Sequence, residues 1–174
     1  MKIKRLLLFI CSACLLTSCN KGMKSIAGDY SYKVSGEVRL ITPRLLDSTR
    51  YDTTYQIVTQ RGQMDVHIDK QQKDSRLIVT LNESSGSIHT LYATVSGDSI
   101  LFDPADLSMA IHLLSASGST SSNTLSSVYQ VAVEGSGIAN DDMLLIRQTW
   151  NGRRTSDSTA TLYAPKMTFI AEKN

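Results

Sequence analysis

The sequence predicts an all-β fold, an antiparallel meander of about 8–10 short strands. From Gly28 to the end of the chain, apolar and polar residues alternate with a period of two, the pattern of half-buried strands. Short segments rich in Gly, Ser, Asn and Asp separate the alternating stretches, and none of those stretches shows the stripe of an amphipathic helix. Closure into a β-barrel would remove the exposed sheet edges, so we favour a barrel over the alternative, a β-sandwich.

Residues 1–18 precede this pattern and have the composition of a signal peptide. Lys2, Lys4 and Arg5 form a positive start, and residues 6–16 form an apolar run. The run is eleven residues long, counted from 6 to 16, whereas a membrane-spanning helix needs about 20. We therefore interpret residues 1–18 as a removable signal.

The signal ends in Leu16-Thr17-Ser18-Cys19, which resembles the lipobox of bacterial lipoproteins. The resemblance implies cleavage before Cys19, a diacylglycerol on the Cys19 sulfur, and a further acyl chain such as palmitate on the new amine. An ordinary signal peptide that happens to contain cysteine is the alternative. Residues 19–25 would then be a lipidated tether, and residues 26–174 a single domain.

The charge of the mature chain excludes nucleic acid as a partner. Removing residues 1–18 leaves 156 residues (174 minus 18), with 15 basic residues (18 minus 3) against 16 acidic ones. The formal charge is therefore −1 (15 minus 16), and no basic field remains to attract a phosphate backbone. Cys11 and Cys14 leave with the signal, so the domain depends on its core without disulfides.

Nine stretches of the chain alternate as strands do. In the first, Tyr30, Tyr32, Val34, Val38 and Leu40 share one face. Arg61-Gly62 predicts a kink or turn within the second stretch, Ser96-Gly97 a tight hairpin, and Gly135-Ser-Gly137 and Asn151-Gly152 further turns. Two interruptions, residues 43–52 and the Ser-rich residues 115–126, predict loops, the second of which could also be a flap at a barrel mouth. The predicted strands cover residues 29–40, 53–69, 76–82, 88–95, 98–103, 107–114, 127–135, 142–150 and 158–171.

This layout resembles the lipocalin-like (calycin-like) lipoproteins of Bacteroidetes. The lipobox, the short tether, the opening strand IAGDYSY at residues 26–32 and the β-meander carry the resemblance. Gly28-Asp29-Tyr30 stands where lipocalins have Gly-x-Trp, with Tyr in place of Trp. The resemblance implies a calycin-like barrel that holds a ligand.

The aromatic residues on predicted strands are the candidate ligand-binding residues. A barrel lined with phenolic hydroxyls would suit a small apolar or glycan-like molecule. The alternative is simple packing, because an eight-stranded barrel is just wide enough to be filled by its own side chains. The candidates are Tyr30, Tyr32, Tyr55, Tyr92, Tyr129 and Trp150.

The titratable residues offer one weak metal candidate and no catalytic motif. Asp65, His67 and Asp69 share one strand face, where a metal ion could bind, but we favour an ordinary solvated face, because alternation already requires polar residues there. His67, His89 and His112 lie on different predicted strands, and the sequence has no Gly-x-Ser-x-Gly elbow. We therefore expect no cofactor and no enzyme activity, with a hydrolase as the third alternative.

Several Asp-Ser/Thr tripeptides resemble the O-glycosylation sequon of periplasmic Bacteroidetes proteins. Three of them lie in predicted loops, where a glycan could be tolerated, and the acceptors would be Ser48, Thr53 and Ser158. The fourth, Asp98-Ser99-Ile100, is the weakest example.

We expect a non-catalytic, lipid-anchored protein of the cell envelope that binds a small apolar or glycan-like ligand in its barrel. The alternative is a protein-interaction or structural module, which predicts an exposed apolar patch or an unpaired strand edge. Its partners would be the membrane, through Cys19, and a ligand or envelope protein. Asn20-Lys21-Gly22 has neither an aspartate after Cys19 nor an acidic run, so we expect the periplasmic face of the outer membrane.

Overall fold

The computed structural model describes residues 23–44, 47–71, 76–113, 125–140 and 142–174. One helical turn, residues 23–26, precedes eight strands. No helix in these ranges is long and apolar enough to cross a bilayer. The strands are β1 Gly28–Arg44, β2 Asp47–Ile68, β3 Arg76–Glu83, β4 Ile88–Ser96, β5 Ser99–Leu113, β6 Leu125–Asn140, β7 Met143–Arg154 and β8 Thr161–Lys173.

The eight strands form one antiparallel meander that closes on itself. Each strand pairs with the next in the chain, and β1 pairs with β8, from Tyr30 opposite Lys173 to Ile41 opposite Thr161. The predicted all-β meander and its closure into a barrel are confirmed. Closure gives β1 and β8 backbone partners on both sides, whereas in an open sheet one edge of each strand would be exposed.

Several predicted turns lie inside strands instead. Gly62 lies opposite Tyr32 and Glu83 in continuous β2, and Gly152 lies within β7. The predicted strands 98–103 and 107–114 are one strand, β5, with a bulge between Phe102 and Ala105. At Gly62 and Gly152 the physical reason is that glycine in a strand also serves close approach between backbones, and in β5 the bulge accommodates Pro104 within the strand. The other predicted breaks that are largely strand are residues 43–52 and Gly135-Ser-Gly137.

Alternate residues of every strand fill the interior. The side chains of Tyr30, Tyr129 and Trp150 are among the largest that are fully buried. The helical turn closes one end of the barrel, where Met23 and Ile26 are buried and the Tyr30 hydroxyl donates a hydrogen bond to the Ile26 carbonyl at 2.6 Å. The described interior is therefore packed with the protein's own side chains, as a narrow barrel allows.

The hairpins at the opposite end differ in length. The β3–β4 hairpin is short, so β3 pairs with β2 only from Gly62 to Ile68. The β1–β2 and β5–β6 hairpins extend beyond it and approach each other, with Gln60 Nε2 donating to the Ala110 carbonyl at 3.3 Å. The segment of β2 before Gly62 therefore pairs with β1 alone in the described part of the chain.

Candidate binding surface

The structure separates the six predicted ligand-binding residues into two groups. Tyr30, Tyr32, Tyr129 and Trp150 point into the barrel and are at most 5% exposed. Tyr55 and Tyr92 point outward and are 61% and 43% exposed. Tyr55 faces out because β2 runs straight through Gly62, so that odd-numbered positions lie opposite the face that carries Val58, Met64 and Val66.

Two of the interior aromatic residues share a contact with Phe169. The rings of Tyr32 and Trp150 lie 5.7 Å and 6.5 Å from the ring of Phe169, centroid to centroid. The indole N–H of Trp150 donates to Gln148 Oε1 at 3.0 Å, so this buried donor is satisfied. These contacts are those of a packed core, and a ligand would have to push the rings apart to enter.

A polar cluster lies inside the barrel near the β3–β4 turn. Gly62 has no side chain, and the Tyr32 ring occupies the space in which its Cβ would stand. Burial, and then the nearby Glu83 carboxylate, raise the pKa of Tyr32 to about 12. His89 Nε2 lies 3.3 Å from Glu83 Oε1, and both side chains are at least nine-tenths buried.

A cleft of about 680 Å³ lies on the outer side of β5, β6, β7 and β8, and we call it the Gly135 cleft. A Cβ on Gly135 would lie 2.6 Å from the Arg147 carbonyl oxygen and 2.7 Å from Gln148 Cγ, so no larger residue fits at this point. The pairing shifts in β5 between Phe102 and Ala105, and in β8 opposite Gln148 and Trp150. Such bulges bend a sheet. The cleft is lined by Leu101, Phe102, Asp103, Pro104, Glu134, Gly135, Ser136, Arg147, Gln148, Thr149, Pro165 and Lys166.

The rim of the Gly135 cleft carries charges of both signs. Asp103 accepts a hydrogen bond from Arg76 at 2.7 Å, while Glu134, Arg147 and Lys166 are exposed. Ser136 and Thr149 add hydroxyl groups. The rim therefore offers charged and hydrogen-bonding groups beside the apolar side chains of Leu101 and Pro104.

An exposed apolar row borders the cleft. Ile138 on β6, Leu145 on β7 and Ile170 on β8 lie directly opposite one another on the outer face, and we call them the outer apolar row. Ile138 and Ile170 are 57% and 46% exposed. Leu101, which lines the cleft, is 64% exposed and lies one row away, because it pairs with Ser136. The outer apolar row and the cleft therefore form one continuous surface.

The three residues of the weak metal candidate, Asp65, His67 and Asp69, are not placed to bind one ion together. His67 Nε2 lies 2.7 Å from Asp65 Oδ2 on the outer face, but Asp69 instead accepts a hydrogen bond from the Gln71 backbone N–H. Within the described residues, no three His, Cys, Asp or Glu side chains are placed to hold a metal ion.

The predicted glycosylation sites lie at the end of the barrel that carries the long hairpins. Thr53 and Ser158 are exposed, whereas the side chain of Ser48 lies outside the described residues. Thr159 donates both its backbone N–H and its hydroxyl to Asp157 Oδ1, and these two hydrogen bonds are the main cause of the lowered Asp157 pKa. Thr49 binds Asp47 in the same way, so the two Asp-Ser-Thr tripeptides share one local structure.

Cys19 and most of the Ser-rich interruption also lie outside the described residues. The lipid anchor on Cys19 and the flap stay predictions. Met23, four residues after Cys19, packs at the end of the barrel opposite the long hairpins.

The fold and this surface define an eight-stranded antiparallel meander barrel with a packed interior and an exposed apolar surface on one side. No family model, curated protein or solved structure matches the chain.

Sequence reasoning did not identify the outer apolar row. One signal was present: Met143-Leu144-Leu145-Ile146 is a run of four apolar residues, and a strand with such a run is apolar on both faces. Phe169-Ile170-Ala171 on β8 shows the same feature.

Proposed function

We propose that this protein is a non-catalytic, lipid-anchored binding module of the bacterial cell envelope that holds a protein partner against the outer face of β5–β8. The observation that carries the proposal is the continuity of the outer apolar row with the Gly135 cleft. Contiguous apolar patches on a soluble surface mark interaction sites.

The composition of the surface favours a protein partner. Protein interfaces combine an apolar centre with a polar rim that supplies hydrogen bonds. Here Ile138 and Ile170 provide exposed apolar area, and Ser136, Arg147 and Lys166 provide donors beside it. The partner would set apolar side chains on the row and polar groups in the cleft.

The interior supports this choice over a ligand inside the barrel. Trp150 and Tyr129 have no water-accessible surface, and the Trp150 N–H is already bonded to Gln148. A ligand in the barrel would have to break that bond and displace packed rings. The binding surface is therefore proposed on the outside.

The proposed lipid anchor would hold this surface beside the membrane. Met23 is four positions after Cys19, and an extended chain spans about 3.5 Å per residue, so the tether reaches about 14 Å at most. The end of the barrel that carries Met23 would lie nearest the bilayer. The proposed location is the periplasmic face of the outer membrane, where the partner would be an envelope protein.

In-cell photo-cross-linking tests this function. A photoreactive amino acid is placed at Ser136 in the cleft, with a matched control at Thr90, an exposed residue on the outer side of β4. The chain is expressed in its native host and irradiated. We expect one discrete protein adduct from position 136 and none from position 90.

The substitution Ile170→Lys then shows whether the outer apolar row contributes to binding of the protein partner. Because Ile170 is exposed, the substitution should leave the fold intact, and the adduct from position 136 should disappear. Absence of an adduct, or an adduct that persists in the Ile170→Lys background, would contradict the proposed function.

A further inference from the structure

The start of β2 presents a strand edge that no strand in the described part of the chain covers. From Asp47 to Tyr55, β2 pairs with β1 on one side, and the described residues supply no paired strand on the other. Tyr51 and Tyr55 on this segment are 51% and 61% exposed. A free edge of this length presents backbone donors and acceptors to another strand.

We propose that two copies of this chain pair antiparallel along this β2 edge, about a two-fold axis at Tyr51. Such an interface uses the same surface on both subunits, so the segment must be complementary to itself. In this register Tyr51 meets Tyr51 of the second copy, Thr49 meets Thr53, and Arg50 meets Asp52.

Charge complementarity selects this register. With the axis at Tyr51, each Arg50 faces Asp52 of the other copy, which makes two opposite-charge pairs. Moving the axis to Arg50 would place two arginines opposite each other, and moving it to Asp52 would place two aspartates opposite each other. Like charges directly opposite one another on paired strands are destabilising.

The charged groups are accessible to a second copy. The Arg50 side chain is 71% exposed and lies 3.3 Å from Asp47, while Asp52 is 55% exposed and lies 2.7 Å from Arg44. Both are surface ion pairs, which contribute little to stability. Arg50 can therefore leave Asp47 at little cost and pair with Asp52 of the second copy. The Asp52 carboxylate has two oxygens, so it can keep Arg44 as well.

Sedimentation equilibrium of the full chain in a non-ionic detergent tests the dimer. A short edge buries little area, so we expect a dissociation constant of about 10–100 μM. Arg50→Asp and Asp52→Arg should each weaken self-association at least about tenfold, because each places like charges opposite one another twice. Arg153→Asp, an exposed charge change on β7, is the control and should dimerise like the wild type.

The self-association of a mixture of the Arg50→Asp and Asp52→Arg variants is the decisive measurement. One variant carries two aspartates at positions 50 and 52 and the other carries two arginines, so a mixed dimer restores both opposite-charge pairs. We expect the mixture to associate at least as tightly as the wild type, a result that misfolding could not produce. A monomeric wild type at about 1 mM, single variants that dimerise normally, or a mixture that stays monomeric would each overturn the proposal.

Discussion

Gly62 and Gly135 each lie in a row of paired residues across the sheet, which we call the Gly62 row and the Gly135 row. The two rows are packed in the same way but differ in what surrounds them on the outer surface. In each, a strand glycine leaves room for a polar side chain of the neighbouring strand, Tyr32 beside Gly62 and Gln148 beside Gly135. An outer depression lies over each glycine, about 400 Å³ at Gly62 and about 680 Å³ at Gly135.

The surroundings distinguish the two depressions. The one over Gly62 is ringed by polar residues such as Ser31, Arg61 and Gln63. The one over Gly135 adjoins Leu101 and the outer apolar row. The two glycines are packed alike, so it is the apolar neighbours that make the depression over Gly135 a candidate binding surface.

Substitution of Gly62 should have the largest effect on stability. In Gly62→Ala the new Cβ would overlap the Asn82 carbonyl oxygen and lie 2.8 Å from Tyr32 Cε1, so β2 and β3 must separate. We expect a loss of about 3 kcal/mol in the free energy of unfolding, measured by urea denaturation.

Gly137→Ala is the matched control for this substitution. Its Cβ would lie 3.0 Å from Ile146 Cγ1 and from the Leu145 carbonyl oxygen, contacts that small shifts can relieve. We expect a loss of about 1 kcal/mol. Equal losses at Gly62 and Gly137 would show that close packing is not what distinguishes the Gly62 row.

The Gly62 row also marks where sequence-based prediction ended. Alternation with a period of two is local, so it predicted the meander and placed Tyr30 and Tyr32 on the core face. A glycine within an alternating segment, however, fits either a turn or a close approach, and only the pairing of Gly62 with Tyr32 and Glu83 decides between them.

The candidate binding surface was harder to predict for a related reason. Ile138, Leu145 and Ile170 come together through the registers of three strands, and register depends on contacts distant in sequence. The apolar run Met143-Leu144-Leu145-Ile146 signals an apolar outer face on β7, but it does not show that β6 and β8 carry the same feature at the same level.

The free energy of unfolding should depend on the ionisation of Tyr32, which lies beside Gly62, at pH values above the ordinary pKa of tyrosine. The folded-state pKa of Tyr32 is about 12, above the ordinary value of 10.0, so folding favours the neutral phenol. Its contribution is complete below pH 10 and is lost as the pH rises towards 12. Two pKa units correspond to about 2.7 kcal/mol.

Tyr32→Phe isolates this contribution from the other groups that titrate at high pH. The free energy of unfolding is measured by urea denaturation for both proteins between about pH 9 and pH 12. We expect the advantage of the wild type over Tyr32→Phe to shrink by about 2–3 kcal/mol across this range. A difference that stays constant with pH would show that the phenol is not held neutral beside Gly62.

The corresponding test of the Gly135 row concerns Gln148 and should give the smallest effect of the three. Gln148→Leu removes the acceptor of the Trp150 N–H and leaves that donor buried and unpaired, at a cost of about 2 kcal/mol in the free energy of unfolding. In the Trp150→Phe background no N–H remains, so the same change should cost about 1 kcal/mol less, measured as a double-mutant cycle. A cost unchanged by the background would mean that Gln148 acts by filling the space beside Gly135 and not by bonding the indole.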